Sequence, residues 1–142
     1  ISLAFLNLIS NSCKYTREGN RITVKLEKHG GKAVVTVSDR GGGIKSEILD
    51  NIFEPYFSYK TESAISGAGL GLSIVKFVIT QHDGTIAIQS HEGEGTKVAF
   101  SLPIRHDENS PDYTAKSSAD YLADRFSLLY VQMSDVCGCP LP

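Results

Sequence analysis

The 142-residue sequence has no tryptophan, one methionine, three cysteines and no long apolar run, and neither sign of charge dominates it. Each scarcity removes a class of protein. Cys13, Cys137 and Cys139 are too few for a disulfide framework, which makes the cytosol the default compartment. No apolar stretch reaches the roughly 18–20 residues of a membrane-spanning helix, and the first residues lack the pattern of a secretory signal. Fourteen basic against sixteen acidic side chains leave a net charge of −2, so no field draws in a polyanion and nucleic acid is a disfavoured partner. No GxxxxGK[ST] phosphate loop occurs, and no Ser-His-Asp arrangement is legible. His29, His82, His91 and His106 are scattered without a Cys or carboxylate at ligand spacing, and Cys137-Gly138-Cys139 offers two thiolates without partners, which argues against a zinc site. With 41% apolar and 21% charged residues the chain has ordinary globular composition, one domain's worth.

Two zones divide it. Residues 1–104 alternate periodic apolar segments with glycine loops. Residues 105–119 are polar, contain Pro111 and read as a linker. Beyond them Leu122, Phe126, Leu129, Met133 and Val136 recur at helical steps after a capping-type Ser117, predicting an amphipathic helix within 120–142. In the first zone, Ile1–Lys14 reads as a helix that is apolar on most sides. Arg21–Lys28 and Ala33–Ser38 read as strands joined by His29-Gly30-Gly31. A short helix is expected over Lys45–Ile52, and another over Gly71–Gln81 with Leu72, Val75, Val78 and Ile79 on one stripe. Thr85–Ser90 and Lys97–Leu102 are a second strand pair. Helices and strands mix without a βαβ repeat, so the expected class is α+β: a two-layer α/β sandwich with a mixed, mostly antiparallel sheet and helices on one face.

Chemistry is concentrated in a few segments. Asn7 and Asn11 lie one turn apart on one face of the first helix, and Lys14 and Tyr15 extend that stripe. Carboxamides in an apolar helix are costly to bury unless something bonds them. Their oxygens suit Mg²⁺ that already carries phosphate, while Lys14 suits a phosphate and Tyr15 a base; capping of nearby backbone is the plainer alternative. Asp39 follows a buried strand and precedes Gly41-Gly42-Gly43, an acceptor beside backbone free to approach a flat ligand, or else an ordinary turn. Gly67-Ala68-Gly69-Leu70-Gly71-Leu72 opens a helix, where alternate glycines present N–H groups and the positive helix end to an anion. Phe53–Phe57 is an aromatic anchor before a polar stretch that holds Lys60, a candidate phosphate contact. Gly93-Glu94-Gly95-Thr96 reads first as a hairpin turn and second as a ligand contact.

Taken together, these segments resemble the ATP-binding catalytic domain of bacterial sensor histidine kinases, within the superfamily that also holds gyrase, the heat-shock chaperone and mismatch-repair ATPases. Asn7–Thr16 is similar to the N box and Asp39–Ile44 to the first glycine box. Ile52–Phe57 is similar to the F box, Gly67–Lys76 to the second glycine box and Gly93–Pro103 to the closing glycine-threonine hairpin. The resemblance covers about residues 1–104 and implies that fold, with ATP and Mg²⁺ as cofactors. It implies Asn11 as the Mg²⁺ ligand, Lys14 on the phosphates, Tyr15 beside the adenine and Asp39 accepting from its amino group. Gly41, Gly43, Ile44 and Thr96 would shape that pocket. Gly67, Gly69, Leu70 and Gly71 would wrap the phosphates, with residues 57–68 and Lys60 as the lid.

Asn7 stands where hydrolysing branches carry a water-activating Glu, which implies transfer to a histidine, with Asn7 and Lys14 as the residues of the catalytic step. The resemblance further implies a homodimeric parent, a dimerisation domain that carries the phospho-accepting histidine, and a response regulator as partners. It implies a cytoplasmic location for this domain, with the parent anchored in the inner membrane through upstream segments in many such kinases. The chain starts inside the N-box helix, so it is expected to be a fragment without the preceding strand, and residues 121–136 are expected to pack back on the domain. A nucleotide-gated interaction module without catalysis and an anti-sigma-type serine kinase are the alternatives.

Overall fold

The computed structural model describes residues 1–57 and 69–105. The chain divides into two compact units, Ile1–Pro103 and Ile104–Pro142, and every element named below belongs to the first. Lys60, Gly67, most of the 57–68 lid segment, the linker beyond Arg105 and the helix expected within 120–142 lie outside the described residues.

Helix α1 spans Ser2–Tyr15 and buries Ala4, Leu8 and Ser12, a stripe at four-residue spacing, together with Leu6. Lys14 in its last turn complements the negative helix end, and the chain leaves the helix at Thr16, which is extended. Strand β1 (Thr23–His29) and strand β2 (Lys32–Ser38) form a hairpin. Its two central residues, Gly30 and Gly31, have φ of 52° and 76°, the left-handed pair that a type I′ turn demands. Helix α2 is reduced to Ser46–Leu49. The longer helix expected over Lys45–Ile52 tightens after its first turn, because Asn51 and Ile52 donate to the carbonyls of Ile48 and Leu49 three residues back.

Helix α3 spans Gly71–Gln81, as the apolar stripe predicts. It stops where Asp83 takes φ 55° and the Gly84 N–H returns to the Ile79 carbonyl at 2.9 Å. Strands β3 (Thr85–His91) and β4 (Gly95–Pro103) follow.

The sheet order is β1-β2-β4-β3, and every pairing among the described strands is antiparallel. Alternation decides the faces. Val35 and Val37 of β2, Val98 and Phe100 of β4, and Ile86 and Ile88 of β3 point to the helices. There they meet Ala4 and Leu8 of α1 and Val75 and Ile79 of α3 in one core. Each large buried side chain in this layer stabilises the fold by roughly 1.5–3 kcal/mol relative to exposure. The result is the α+β two-layer sandwich with helices on one face. Val24 and Leu26 of the edge strand β1 share the inner face but remain 45% and 71% exposed, because α1 and α3 pack over the other strands.

Candidate functional site

The inner face of the sheet changes character at one end. Asp39 continues β2 by one residue, and its N–H donates to the Thr96 carbonyl at 2.9 Å. The Asp39 carboxylate accepts from three donors. Oδ1 takes the Gly41 N–H at 2.9 Å and the Thr96 N–H at 3.2 Å, and Oδ2 takes the Ser12 hydroxyl of α1 at 3.1 Å. Hydrogen bonds to an ionised carboxylate are roughly twice as strong as neutral ones, and these three fix the plane of the group. A carboxylate has about four lone-pair positions, so one on Oδ2 stays available to a further donor.

The glycines after Asp39 come close to protein backbone. A side chain on Gly41 would strike the Tyr15 carbonyl, and one on Gly43, at φ 68°, would strike the His91 carbonyl. Gly42 faces open space; its N–H donates to Tyr15 at 3.4 Å, and its carbonyl accepts from Gly93 at 2.7 Å. The loop is therefore clamped between the end of α1 and the β3–β4 hairpin. Tyr15 contributes its backbone to that clamp and leaves its ring 49% exposed. Ile44 is half-buried and donates its N–H to the Ser90 hydroxyl at 2.9 Å.

A second group of residues gathers where α1 faces the start of α3. A Cβ at Gly71 would lie 3.3 Å from Asn7 Oδ1 and 3.5 Å from Asn11 Nδ2, so both carboxamides sit at the opening of α3. Asn7 also donates to the Leu3 carbonyl at 2.9 Å, which satisfies in part the plainer capping reading of the sequence. The Asn11 carboxamide has no hydrogen-bond partner among the described residues. Among the described residues helix α3 has no side-chain cap, and its first turn holds no acidic residue to offset the positive helix end. Leu70 precedes it, with its carbonyl accepting from the Ser73 hydroxyl at 2.8 Å. Lys14 lies on the Asn7–Asn11 face one turn on and forms no ion pair among the described residues.

Gly69, at φ 69°, packs so closely on Phe57 that a Cβ would sit 2.8 Å from its carbonyl oxygen. Phe57 and Gly69, the described residues on either side of 58–68, are thereby in close contact. Lys76 of α3 lies 5.8 Å above the Phe53 ring and ties the aromatic anchor to the same helix.

The structure thus places Asp39, Gly41, Gly43, Ile44, Tyr15 and Thr96 in one cluster and Asn7, Asn11, Gly69, Leu70 and Gly71 in another. Two participants escaped the reading of the sequence, Ser12 and Ser90. Both left a signal: each is a hydroxyl on a buried stripe, Ser12 after Ala4 and Leu8, and Ser90 after Ile86 and Ile88.

A family model described as histidine kinase-, DNA gyrase B- and HSP90-like ATPase matches residues 1–106. The chain belongs to that family. Within it, the chain is similar to the sensor-like histidine kinase SenX3 of Mycobacterium tuberculosis (strain H37Rv), 37% identical over 115 residues, covering 77% of this chain and 28% of SenX3. Among solved structures it is similar to the mycobacterial sensor histidine kinase MprB, with a TM-score of 0.67 and 30% identity over 74% of this chain and 72% of that one. It also matches full-length ShkA, which was solved in complex with AMPPNP, with a TM-score of 0.64 and 25% identity over 74% of this chain and 21% of that one. This is an ATP-binding catalytic domain of the sensor histidine kinase type. The chain spans 28% of SenX3 and smaller shares of several other curated relatives.

Proposed function

We propose that this domain binds Mg-ATP between the two clusters and donates the γ-phosphoryl group to a histidine of a dimerisation domain in the same kinase, from which a response regulator would receive it. The observation that carries this reading is the Asp39 carboxylate, fixed by three protein donors with an acceptor position left over at the open end of the sheet. That position matches the exocyclic amino group of adenine, with Tyr15 and Ile44 as apolar neighbours of the base.

The phosphates would then lie toward the uncapped start of α3, where Gly69, Leu70 and Gly71 supply N–H groups and Lys14 a positive charge. Residues fit for Mg²⁺ are present in part. Asn11 offers a neutral oxygen with no other partner among the described residues, beside the proposed phosphate site. Among the described residues no three His, Cys, Asp or Glu side chains cluster as metal ligands, so a cation here would take its other ligands from phosphate and water. When bound, the ion supplies charge neutralisation to the transferring phosphoryl group.

Transfer forms a bond between phosphorus and an imidazole nitrogen, breaks the bond to the β–γ bridging oxygen and releases ADP. Asn7 is a carboxamide that donates to Leu3, and it has no basicity with which to activate water. The chain's own residues therefore bind, orient and exclude water, and positioning supplies the catalysis.

Calorimetric titration with ADP and AMPPNP, with and without Mg²⁺, tests the binding. Mg-sensitive affinity in the micromolar range is expected, and Asp39→Asn should weaken it by about 100-fold or more, since an amide NH₂ facing a donor repels it and leaves the donor unpaired. Unchanged affinity in Asp39→Asn would overturn the placement of the base. Acid-labile label appearing on the parent kinase's own histidine domain, mixed in trans with γ-labelled ATP, tests the transfer. A folded domain that binds ATP and transfers nothing would be an interaction module instead.

A further inference from the structure

The sheet has two edge strands, and they are guarded differently. Strand β1 carries Lys25, Glu27 and Lys28 along its length, charges that oppose the addition of another strand. Strand β3, at the other edge, reads Thr85-Ile86-Ala87-Ile88-Gln89-Ser90 before His91, with no acidic residue, lysine, arginine, proline or glycine. The direction of its backbone groups follows from its neighbour. The Thr96 carbonyl accepts from the Asp39 N–H and the Thr96 N–H donates to the Asp39 carboxylate, so both main-chain groups of Thr96 point away from β3. Thr96 is paired with Ser90 in the register, which makes theirs a pair without mutual backbone hydrogen bonds. By alternation Ile86 and Ile88 also turn their N–H and C=O groups to the open edge. Those groups have no backbone partner among the described residues. Ala87 and Gln89, between and beyond them, are exposed on the sheet face away from the helices.

An antiparallel strand laid against this edge must match Ile86 and Ile88 with residues whose backbone groups also face outward. A second copy of β3 does so about a two-fold axis at Ala87. In that register Ala87 opposes Ala87 of the second copy, Ile86 opposes Ile88 and Ile88 opposes Ile86, so each apolar contact is made symmetrically. Thr85 faces Gln89. Moving the register by two residues in either direction would set an isoleucine against Ser90 or Gly84 instead. The flanks suit the same register. It carries His82 and Asp83, which precede the strand, toward Glu92 and His91 of the second copy. Acid therefore meets histidine at both ends, and no like charges are opposed among the residues so matched.

From this we infer that the β3 edge is a self-association surface: two copies of this chain pair through β3, antiparallel about Ala87, and join two four-stranded sheets into one. The occupant is a second copy because the register that pairs the isoleucines also pairs the charged flanks with their opposites, and because β3 lacks the charges with which β1 resists such pairing. The association involves neither Asp39 nor the start of α3, so it stands apart from the proposed nucleotide site.

Sedimentation velocity of the whole chain over a concentration series in reducing buffer tests it. A reversible monomer–dimer equilibrium is expected. Ala87→Lys sets two ammonium groups against each other across the axis and should weaken the dimer by about tenfold or more, without lowering the melting temperature of the dilute monomer. Leu26→Lys, on the β1 edge, should leave the association unchanged. Ala87→Cys reads the register. Directly opposed residues of a pair without mutual hydrogen bonds have Cα atoms about 4.5 Å apart, within disulfide reach, so mild oxidation should link Cys at 87 to itself. Peptide mass spectrometry separates that link from any made by the native cysteines, and Gln89→Cys, which faces Thr85, should not link to itself. Monomer mass at every concentration would overturn the inference; if the amides of Ile86 and Ile88 were then protected from exchange, another part of this chain would cover the edge. A dimer that survives Ala87→Lys and is broken by Leu26→Lys would overturn it as well, and so would a dimer in which Ala87→Cys forms no 87–87 link.

Discussion

At the scale of single residues, the three consecutive glycines have different tasks that the sequence presents as one. Gly43 has positive φ and sits against the His91 carbonyl, whereas Gly42 has open space around its Cβ position. Gly43→Ala should therefore cost more than about 2 kcal/mol of stability, from backbone strain and a collision with main chain. Gly42→Ala should stay within about 0.5 kcal/mol. Urea denaturation midpoints of the two variants check the contrast, and equal losses would mean that the loop does not take this path. The sequence announces that the backbone after Asp39 must be permissive. It does not tell whether the permissiveness serves a ligand or the protein's own main chain, because a missing Cβ looks the same in either case. Asp39 is marked by its place as an acceptor at the end of an apolar strand, with an ordinary turn as the alternative that the sequence leaves open. Ser12 and Ser90 were not legible, because a hydroxyl on an apolar stripe acquires meaning only when its cross-chain partners are known.

At the scale of elements, α3 shows how periodicity assigns burial and where it stops. Val75 and Ile79 are fully buried one turn apart, while Phe77, equally apolar, points away and is 65% exposed. Ile79→Ala should cost about 2–5 kcal/mol, and Phe77→Ala less than about 0.5 kcal/mol. Thermal unfolding of both variants would show it; a large loss for Phe77→Ala would mean that something in this chain covers that face. Strand alternation carries the same kind of signal, and in the structure Val35, Val37, Val98 and Phe100 lie on the core side. Segment ends were less readable. Helix α2 stops a turn early because Asp50 and Asn51 favour turns, and β1 starts at Thr23 because Ile22 packs on the core outside the ladder. Sheet order was out of reach from periodicity alone: β4 inserts between β2 and β3, a choice made by the core as a whole.

At the scale of the molecule, the sheet holds its stability and its chemistry at different ends. Phe100 and Leu8 close the middle of the core, and Asp39, Thr96 and Ser90 make its last, polar row. The loop from Gly41 to Ile44 is bonded to both α1 and the β3–β4 hairpin, so the cluster around Asp39, the proposed base site, is fixed without a ligand. The second cluster depends on helix packing, where α1 brings Asn7 and Asn11 to Gly71. A nucleotide spanning both clusters would join the sheet end to the start of α3, and this gives the most direct test of the account. In an NMR titration of the ¹⁵N-labelled chain with AMPPNP and Mg²⁺, the amide signals of Gly41, Thr96 and Gly71 should move together along one saturable curve. Saturable binding that leaves Gly41 and Thr96 unmoved, or no binding by the folded chain, would contradict it.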